Sequence, residues 1–374
     1  MEIYLVIASI NKLTNIARFK SQFQGSSHEI NLIVVDEGDE KLREKNRDIL
    51  QGIRYNFYGP KERLSWFQEK FGLGRADKYA SVIPERCHAE TSFGFLVAYE
   101  EGADVVIELD DDVFPVDGHN LVREHLENLF HVDGVRVGGK CKWYNTIENL
   151  IIEPPTIYFP RGHPYSLEAR ERTYIWNEAG SSQCVLNMGL WLGHPDLDAV
   201  TILYHGGLDG RGKIHSKGLK RDKVIVDYET YFAVCSMNAS FLPKIIPAFY
   251  QLYMNFMGID RFDDIWSGIF VKKIADHLGD KISLGKPLVY HDKRARNVFK
   301  DLRSELEGMV MNEVFWRIVD EIELAGKDYY ECYFELANKL EKNLDKFNEK
   351  LHKDFIKLQT NKMRLWLEII NKIR

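Results

Sequence analysis

Three consecutive aspartates, Asp110, Asp111 and Asp112, follow a mostly apolar run at residues 105–109. Valine and isoleucine favour buried strands, so these acids are predicted at the carboxyl end of a strand, where open α/β sheets bind ligands. Side chains alternate along an extended segment, which puts Asp110 and Asp112 on one side and Asp111 on the other. Two such carboxylates repel each other unless a cation lies between them, and oxygen ligands suit Mg²⁺ or Mn²⁺. The pattern favours a metal–diphosphate site over a polar turn.

A second acidic pair and a histidine extend this chemistry. Asp263 and Asp264 precede an apolar helical pattern at 265–278, so one of them could be a helix N-cap. The alternative is an acid beside a reacting sugar, acting as a base or stabilising positive charge on the anomeric carbon. His291 ends a predicted strand and could complete a metal shell, although a lone histidine is more often structural. The basic residues that follow, at 293, 294 and 296, favour phosphate nearby.

Several other polar residues have two interpretations each. Asp36 and Glu37 end a predicted strand and could accept hydrogen bonds from a base edge or ribose hydroxyls, or could solvate a turn. Arg86, at the start of a helix predicted over 84–102, could face a phosphate or a base, or lie on the surface. Arg161 lies between Pro160 and Gly162, and such a stiff loop could direct its guanidinium at diphosphate oxygens.

The elements that position these residues are predicted to be those of an α/β protein. Strand, helix and strand within the first 35 residues form the βαβ pattern of a parallel sheet. Residues 206–223 are rich in Gly and Lys and are interpreted as a mobile lid. From 302 onward the pattern is helical, so we divide the chain into a catalytic domain, 1–300, and a C-terminal helical extension, 301–374. Residues 329–374 are interpreted as interaction helices that mediate homo-oligomer contact, with peripheral membrane contact as the alternative.

Composition narrows the class of protein. The 374 residues are 45% hydrophobic and 28% charged with a net charge of −6, which is typical of a soluble globular protein and gives no reason to expect nucleic-acid binding. Five scattered cysteines without a Cys-x-x-Cys pair argue against zinc and disulfides and fit a reducing cytoplasm. No apolar run approaches membrane-spanning length, and the N-terminus is interpreted as a first strand, not a signal peptide.

Seven motifs in series resemble the reversibly glycosylated polypeptide family, whose plant members are UDP-arabinopyranose mutases. They are Leu109-Asp-Asp-Asp112, Arg161-Gly-His-Pro-Tyr-Ser-Leu167, Asn187-Met-Gly-Leu-Trp191 with Pro195-Asp-Leu-Asp-Ala199, Cys235-Ser-Met-Asn238, Arg261-Phe-Asp-Asp-Ile-Trp266, Asp276-His-Leu-Gly279 and Tyr290-His291. The resemblance implies a glycosyltransferase-A-like fold, in which a mostly parallel sheet is flanked by helices and binds a UDP-sugar through Mn²⁺ or Mg²⁺.

The resemblance also assigns roles to residues. Asp110 and Asp112 fall on the family's metal motif, Arg161 on an arginine that members glycosylate on themselves, and Asp263 and Asp264 on an acidic pair near the active site. The predicted nucleotide- or sugar-binding residues are Asp36, Glu37, Arg86, Asp111, Asn187, Trp191 and Asn238, and His291 joins the metal ligands. The expected activity is that of a UDP-sugar pyranose–furanose mutase. The alternatives are a glycosyltransferase with a separate acceptor and a non-catalytic nucleotide-sugar-binding subunit of a larger assembly.

Overall fold

The computed structural model describes residues 1–131, 133–180 and 182–374. The strands are β1 (Glu2–Ser9), β2 (Glu29–Asp36), β3 (Tyr55–Tyr58), β4 (Val105–Leu109), β5 (Val113–Pro115), β6 (Val135–Gly139), β7 (Leu150–Glu153), β8 (Tyr174–Glu178), β9 (Leu186–Gly193), β10 (His215–Leu219), β11 (Lys223–Val226), β12 (Asn238–Phe241) and β13 (Ile282–His291). The helices are α1 (Thr14–Gln24), α2 (Glu40–Leu50), α3 (Pro60–Phe71), α4 (Leu73–Ala80), α5 (Thr91–Glu100), α6 (Leu121–Phe130), α7 (Ala199–Tyr204), α8 (Asp263–Leu278), α9 (Val298–Glu321), α10 (Tyr329–Lys342) and α11 (Lys350–Ile373).

Within the described residues these strands form one sheet whose main path runs β3-β2-β1-β4-β12-β9-β13-β11-β6-β8. The N-terminal half, β3-β2-β1-β4, is parallel, whereas β12 runs antiparallel to both β4 and β9. Parallel strands need covered faces, and β1 and β4 are accordingly almost continuous in Val, Ile and Leu. The predicted α/β architecture, a sheet flanked by helices with a helical C-terminal segment, is confirmed.

Helix α5 covers the parallel strands, and its close approach depends on Gly94. A Cβ at Gly94 would lie 2.3 Å from Val6 Cγ1, so a larger residue would push the helix off the sheet. Nearly all of α5 is buried, which is why its sequence is apolar on every side. The helix predicted over 84–102 is shorter in the structure, because Arg86 adopts a left-handed backbone conformation with φ 57° and only a 3₁₀ turn, His88–Glu90, precedes α5.

The segment 206–223, predicted to be a mobile lid, is partly built into the sheet. Strand β10 pairs with β7 and β9, and β11 pairs with β13 and β6. Ile214 and Ser216 point into the interior, so a short buried alternation exists within a composition dominated by Gly and Lys. The longest part of the segment outside the strands is the loop between α7 and β10, at 205–214.

The C-terminal helices pack onto the same body as the sheet. Trp366 in α11 stacks on Tyr250 with ring centroids 5.0 Å apart, and Phe355 lies against Trp266 of α8. Helix α9 starts at Val298, so the predicted division at 300/301 falls inside a continuous helix. Among the described helices, none combines the length and apolar character needed to cross a bilayer.

Candidate active site

A cavity of about 350 Å³ opens at the carboxyl ends of β1 and β4. The structure brings together here eight of the thirteen predicted site residues, which are Arg86, Asp110, Asp111, Asp112, Arg161, Asp263, Asp264 and His291. They come from segments far apart in sequence, so the sheet and α8 together build the site. The other five predicted residues lie outside the cavity lining.

Asp112 and His291 meet because β5 and β13 pair, with Val113 opposite His291. His291 Nε2 lies 3.8 Å from Asp112 Oδ1, and His291 Nδ1 lies 2.6 Å from the carbonyl oxygen of His194. A carbonyl can only accept, so Nδ1 carries a proton and Nε2 is the nitrogen that faces the acidic side of the cavity. A histidine oriented in this way by a hydrogen bond on its other nitrogen is typical of metal ligands. The donor set of Asp110, Asp112 and His291 therefore fits Mg²⁺ or Mn²⁺ by its chemistry.

These three predicted ligands are not drawn together around one point in this conformation. Among the described residues, the tight group of three potential ligand atoms is Glu307, Glu349 and His352, at the base of α11. Asp110 Oδ1 instead lies 3.0 Å from Nε2 of His88. A shared ion would therefore need Asp110 to turn toward Asp112 and His291, or would need oxygen atoms from a bound nucleotide to complete its shell.

Asp111 points away from its two neighbours, as the alternation indicated. Its carboxylate accepts hydrogen bonds from Ser9 Oγ at 2.5 Å and Asn11 Nδ2 at 3.0 Å, and it pairs with Arg294 at 2.6 Å. Asp111 therefore ties the end of β1 and the segment after β13 to the acidic triplet. Its oxygens are occupied by protein groups, which favours a positioning role over direct nucleotide contact.

His88 connects the two acidic centres and was missed by the sequence interpretation. Its Nε2 lies 3.0 Å from Asp110 Oδ1 and its Nδ1 lies 2.9 Å from Asp263 Oδ2. Ionised carboxylates only accept, so both ring nitrogens donate and His88 is an imidazolium. Burial by itself would lower the pKa of His88, but the two carboxylates raise it well above its ordinary value. A single histidine inside a predicted helix carries no signal from which this bridge could be predicted.

Arg161 is held by a network of carboxylates. Its Nε donates to both Asp196 oxygens at 3.2 Å, its NH2 group lies 3.6 Å from Asp264 Oδ2, and its NH1 group donates to the carbonyl of Arg261. Burial opposes the charge, yet Asp196 and Asp264 raise the pKa of Arg161 well above its ordinary value. Gly162, with φ 84°, allows the loop to lie against Ile265 of α8, where any Cβ would clash. Asp196, which belongs to the Pro195–Ala199 motif, is thus the main partner of Arg161.

The acidic pair lies in the first turn of α8, which corrects the N-cap alternative. Phe262 occupies the cap position, and Asp263 and Asp264 are the first two helical residues. Acids favour this position because the helix N-terminus carries partial positive charge. Burial raises the pKa of Asp264 to about 6, whereas the contact with His88 lowers the pKa of Asp263 against the effect of burial. The two carboxylates therefore differ in proton affinity, as acid–base pairs do.

Asp36 and Glu37 lie behind the cavity wall and do not line it. Asp36 is fully buried and accepts from the backbone N–H of Gly38 at 2.5 Å and from Asn46 at 3.2 Å. Glu37 pairs with Arg63 and accepts from the backbone N–H of Arg86, each at 2.5 Å. The structure thus gives these acids a supporting role, in which Glu37 holds Arg86 at the cavity edge. Base or ribose contact would require both to exchange partners.

Asn187, Trp191 and Asn238 lie inside the sheet instead of at the cavity. All three are fully buried. Asn187 and Asn238 contact the two nitrogens of His125, at 3.0 and 2.9 Å, and Asn238 also donates to the carbonyl of Pro287 at 2.9 Å. Burial lowers the pKa of His125 to about 3, so this network is neutral. The prediction of sugar contact for these residues is corrected, because all three are buried in the core and the two asparagines already bond His125 there.

A basic wall faces the acidic one. Arg261 pairs with Glu305 at 2.8 Å and Arg296 pairs with Asp301 at 2.7 Å, and Lys293 lines the cavity beside them. Burial first, and then Arg296, lower the pKa of Lys293 to about 8. The sequence prediction of basic residues for phosphate after His291 places Lys293, Arg294 and Arg296 correctly along this cavity.

Fold and site together define an α/β protein with a cavity at the carboxyl ends of parallel strands, lined by acidic and basic residues. The chain belongs to the reversibly glycosylated polypeptide family, whose model matches residues 1–374, and the predicted family membership is confirmed.

Named relatives match over almost their whole length. The chain is 28% identical to the probable UDP-arabinopyranose mutase 1 of Pisum sativum over 391 residues, covering 100% of this chain and 91% of the relative. It is 27% identical to UDP-arabinopyranose mutase 3 of Arabidopsis thaliana, covering 98% and 90%. Among solved structures, glucosyl-3-phosphoglycerate synthase from Mycobacterium tuberculosis, in complex with Mg²⁺ and UDP, aligns with 12% identity and a TM-score of 0.39 over 83% of this chain and 79% of that one.

Proposed function

We propose that the protein is a UDP-sugar mutase that interconverts the pyranose and furanose forms of a UDP-linked sugar, with UDP-arabinopyranose as the first substrate to test. The observation that carries this proposal is the family match over residues 1–374, which includes every segment that builds the cavity. The paired acidic and basic walls support it, since a nucleotide diphosphate needs cationic partners and a loosening glycosidic carbon needs anionic ones.

We propose a dependence on Mn²⁺ or Mg²⁺, held by Asp112 and His291 with Asp110. A bound divalent cation would neutralise charge on the diphosphate as it leaves the sugar. The protein's own groups then account for the remaining requirements. Asp263 and Asp264 present negative charge toward the anomeric carbon as its bond to UDP breaks, and Asp264, with its raised pKa, exchanges a proton with a sugar hydroxyl during ring opening and closure.

We also propose self-glycosylation at Arg161. For a guanidinium nitrogen to bond to the anomeric carbon it must lose a proton, while UDP departs with the bonding electrons. Asp264, 3.6 Å from the NH2 group of Arg161, is the base that this step requires. Asp196, whose Oδ2 lies 3.0 Å from the same NH2 group, holds the guanidinium in this position. Cytoplasmic location, self-association through the C-terminal helices and peripheral membrane contact stay predictions from the sequence.

The activity is tested by incubating the protein with UDP-arabinopyranose and Mn²⁺ and separating the products by chromatography. We expect UDP-arabinofuranose, and we expect Asp112→Asn to reduce its formation by about 100-fold or more, because an amide is a poor ligand for a hard cation. Asp48→Asn, on the exposed face of α2, is the matched control and should retain wild-type rates. Sugar transfer only to an added acceptor would instead establish a glycosyltransferase, and binding without any product a non-catalytic subunit.

Self-glycosylation is tested with UDP-sugar carrying a radioactive sugar. We expect wild-type protein to retain label after denaturation and Arg161→Lys to retain none, because lysine cannot reproduce the bidentate contact with Asp196 that aims the nitrogen. Arg170→Lys, at a neighbouring arginine outside the cavity lining, is the control. Label that persists in Arg161→Lys would assign the acceptor to another residue.

A further inference from the structure

Lys293 is a buried cation that the protein does not neutralise. Its side chain lines the cavity and is 4% exposed, and within the described part of the chain Nζ has no hydrogen-bond partner. A lysine ammonium carries three donors, and burying it without a partner costs several kcal/mol in an ordinary protein interior. A residue of this kind is expected where a ligand supplies the missing partner.

The nearby carboxylates are engaged elsewhere. Asp196 is bound by Arg161, and Asp301 by Arg296. Glu305 is shared between Arg261 and the backbone N–H of Ala199. Each anion on this wall therefore already has a cation, and Lys293 is the surplus positive charge. Arg261 and Arg296, which are close enough to disfavour its charge, add to the positive potential at this point.

The position of Lys293 relates it to the acidic wall. It follows His291 by two residues on the segment that leaves β13, and both line the cavity. The segment 291–293 thus contributes His291 to the predicted metal site and the unpaired ammonium of Lys293 to the same cavity. A diphosphate matches this arrangement, since some of its oxygens can bind a cation at the acidic wall while others accept hydrogen bonds from an ammonium.

We propose that Lys293 binds the diphosphate of the nucleotide directly and stabilises the UDP leaving group, acting beside the metal site and not through it. This inference rests on the proposed function and extends it, because it assigns the leaving-group contact to a named residue. Lys293 is thereby kept unpaired in the free protein at the expense of stability, and the diphosphate supplies its partner on binding.

The test uses full-length protein, with Lys293→Met as the variant and Lys300→Met, on the exposed first turn of α9, as the matched control. Affinities for UDP, UMP and uridine are measured by titration calorimetry with and without Mn²⁺. We expect Lys293→Met to weaken UDP binding about tenfold or more, as loss of a charge-assisted hydrogen bond does, and to leave uridine binding unchanged. The loss should also appear without Mn²⁺, because the contact does not pass through the metal.

Thermal unfolding supplies a second measurement that separates a binding role from a structural one. We expect Lys293→Met to raise the Tm of the nucleotide-free protein, since it removes an uncompensated buried charge, and to reduce the increase in Tm that UDP causes. Equal UDP affinity in variant and wild type, or an equal loss for uridine, would overturn the inference while leaving the proposed function in place. Wild-type protein that binds no UDP at all would overturn the proposed function itself.

Discussion

His88 stands between two groups of carboxylates that would otherwise repel each other across the cavity. With Asp110 on one nitrogen and Asp263 on the other, its positive charge does in the free protein what a metal cation would do in the complex. A cation that binds at Asp110 must therefore compete with His88. The contact with His88 accounts for the orientation of Asp110, which faces His88 and not the Asp112–His291 pair.

Replacing His88 should consequently have opposite effects on stability and on metal response. His88→Ala leaves Asp110 and Asp263 without their shared partner, and we expect the free protein to lose about 1–3 kcal/mol of stability, less than for a fully buried ion pair because the imidazole is partly exposed. Saturating Mn²⁺ should raise the Tm of His88→Ala more than that of wild type, because the competing charge is gone. Differential scanning fluorimetry measures both effects.

The control for this experiment is His131→Ala, at an exposed histidine that ends α6. It should leave both the Tm and the Mn²⁺ response at their wild-type values. If His88→Ala were as stable as wild type and responded equally to Mn²⁺, the bridge between the two acidic centres would not exist in solution.

The sequence predicts those site residues that can be recognised from their immediate neighbours in the chain. Three adjacent aspartates after an apolar run, and basic residues two to five positions after a strand-ending histidine, identify both walls of the cavity. His88 and the pairing of Arg161 with Asp196 depend on contacts between residues 22 to 175 positions apart, and nothing in the neighbouring sequence distinguishes such residues from surface ones.

Strands β9 and β12 show how an element can carry polar residues without presenting them to a ligand. Their asparagines, Asn187 and Asn238, face His125 of α6 through the sheet. Gly189 makes room for this network, since a Cβ there would lie 2.2 Å from Asn238 Nδ2. From sequence alone, polar groups on an apolar strand are equally compatible with a pocket and with a buried network, and only the packing of α6 decides between them.

Asn238→Ala tests this assignment. The substitution removes the partner of His125 Nε2 and a donor to the carbonyl of Pro287, so we expect a loss of about 2–3 kcal/mol in unfolding free energy and no change in UDP affinity of the folded protein. Urea unfolding and calorimetric titration measure the two quantities. A loss of UDP affinity with unchanged stability would return Asn238 to the ligand site.

The elements themselves were predictable where periodicity was strong and less so elsewhere. The first βαβ unit and the C-terminal helices follow directly from their apolar spacing. The helix predicted over 84–102 shows the limit, since Arg86 adopts a left-handed backbone conformation that no apolar spacing reveals, and α5 covers only Thr91–Glu100.

For the molecule as a whole, the C-terminal helices decide how much of the chain is one folding unit. Trp366 is fully buried, stacks on Tyr250 and donates to the carbonyl of Ile246 at 3.2 Å. Gln359 exchanges two hydrogen bonds with the backbone of Tyr253. The loop that these contacts support, 250–262, leads directly into the acidic pair of α8. The apolar face that sequence analysis interpreted as an interaction surface is thus largely used within the chain.

Removing these helices should therefore damage the fold before it reveals anything about assembly, and point substitutions separate the two roles. Trp366→Ala should cost about 3–5 kcal/mol, as truncation of a buried tryptophan does, and should lower Tm and mutase activity together. Phe334→Glu changes a half-exposed residue of α10, so it should leave Tm and activity unchanged and weaken self-association if α10 forms a contact between copies. Analytical ultracentrifugation and thermal unfolding of the two variants measure these effects. A Trp366→Ala protein that keeps its Tm but dissociates would show that α11 serves an interface between chains, against the packing seen here.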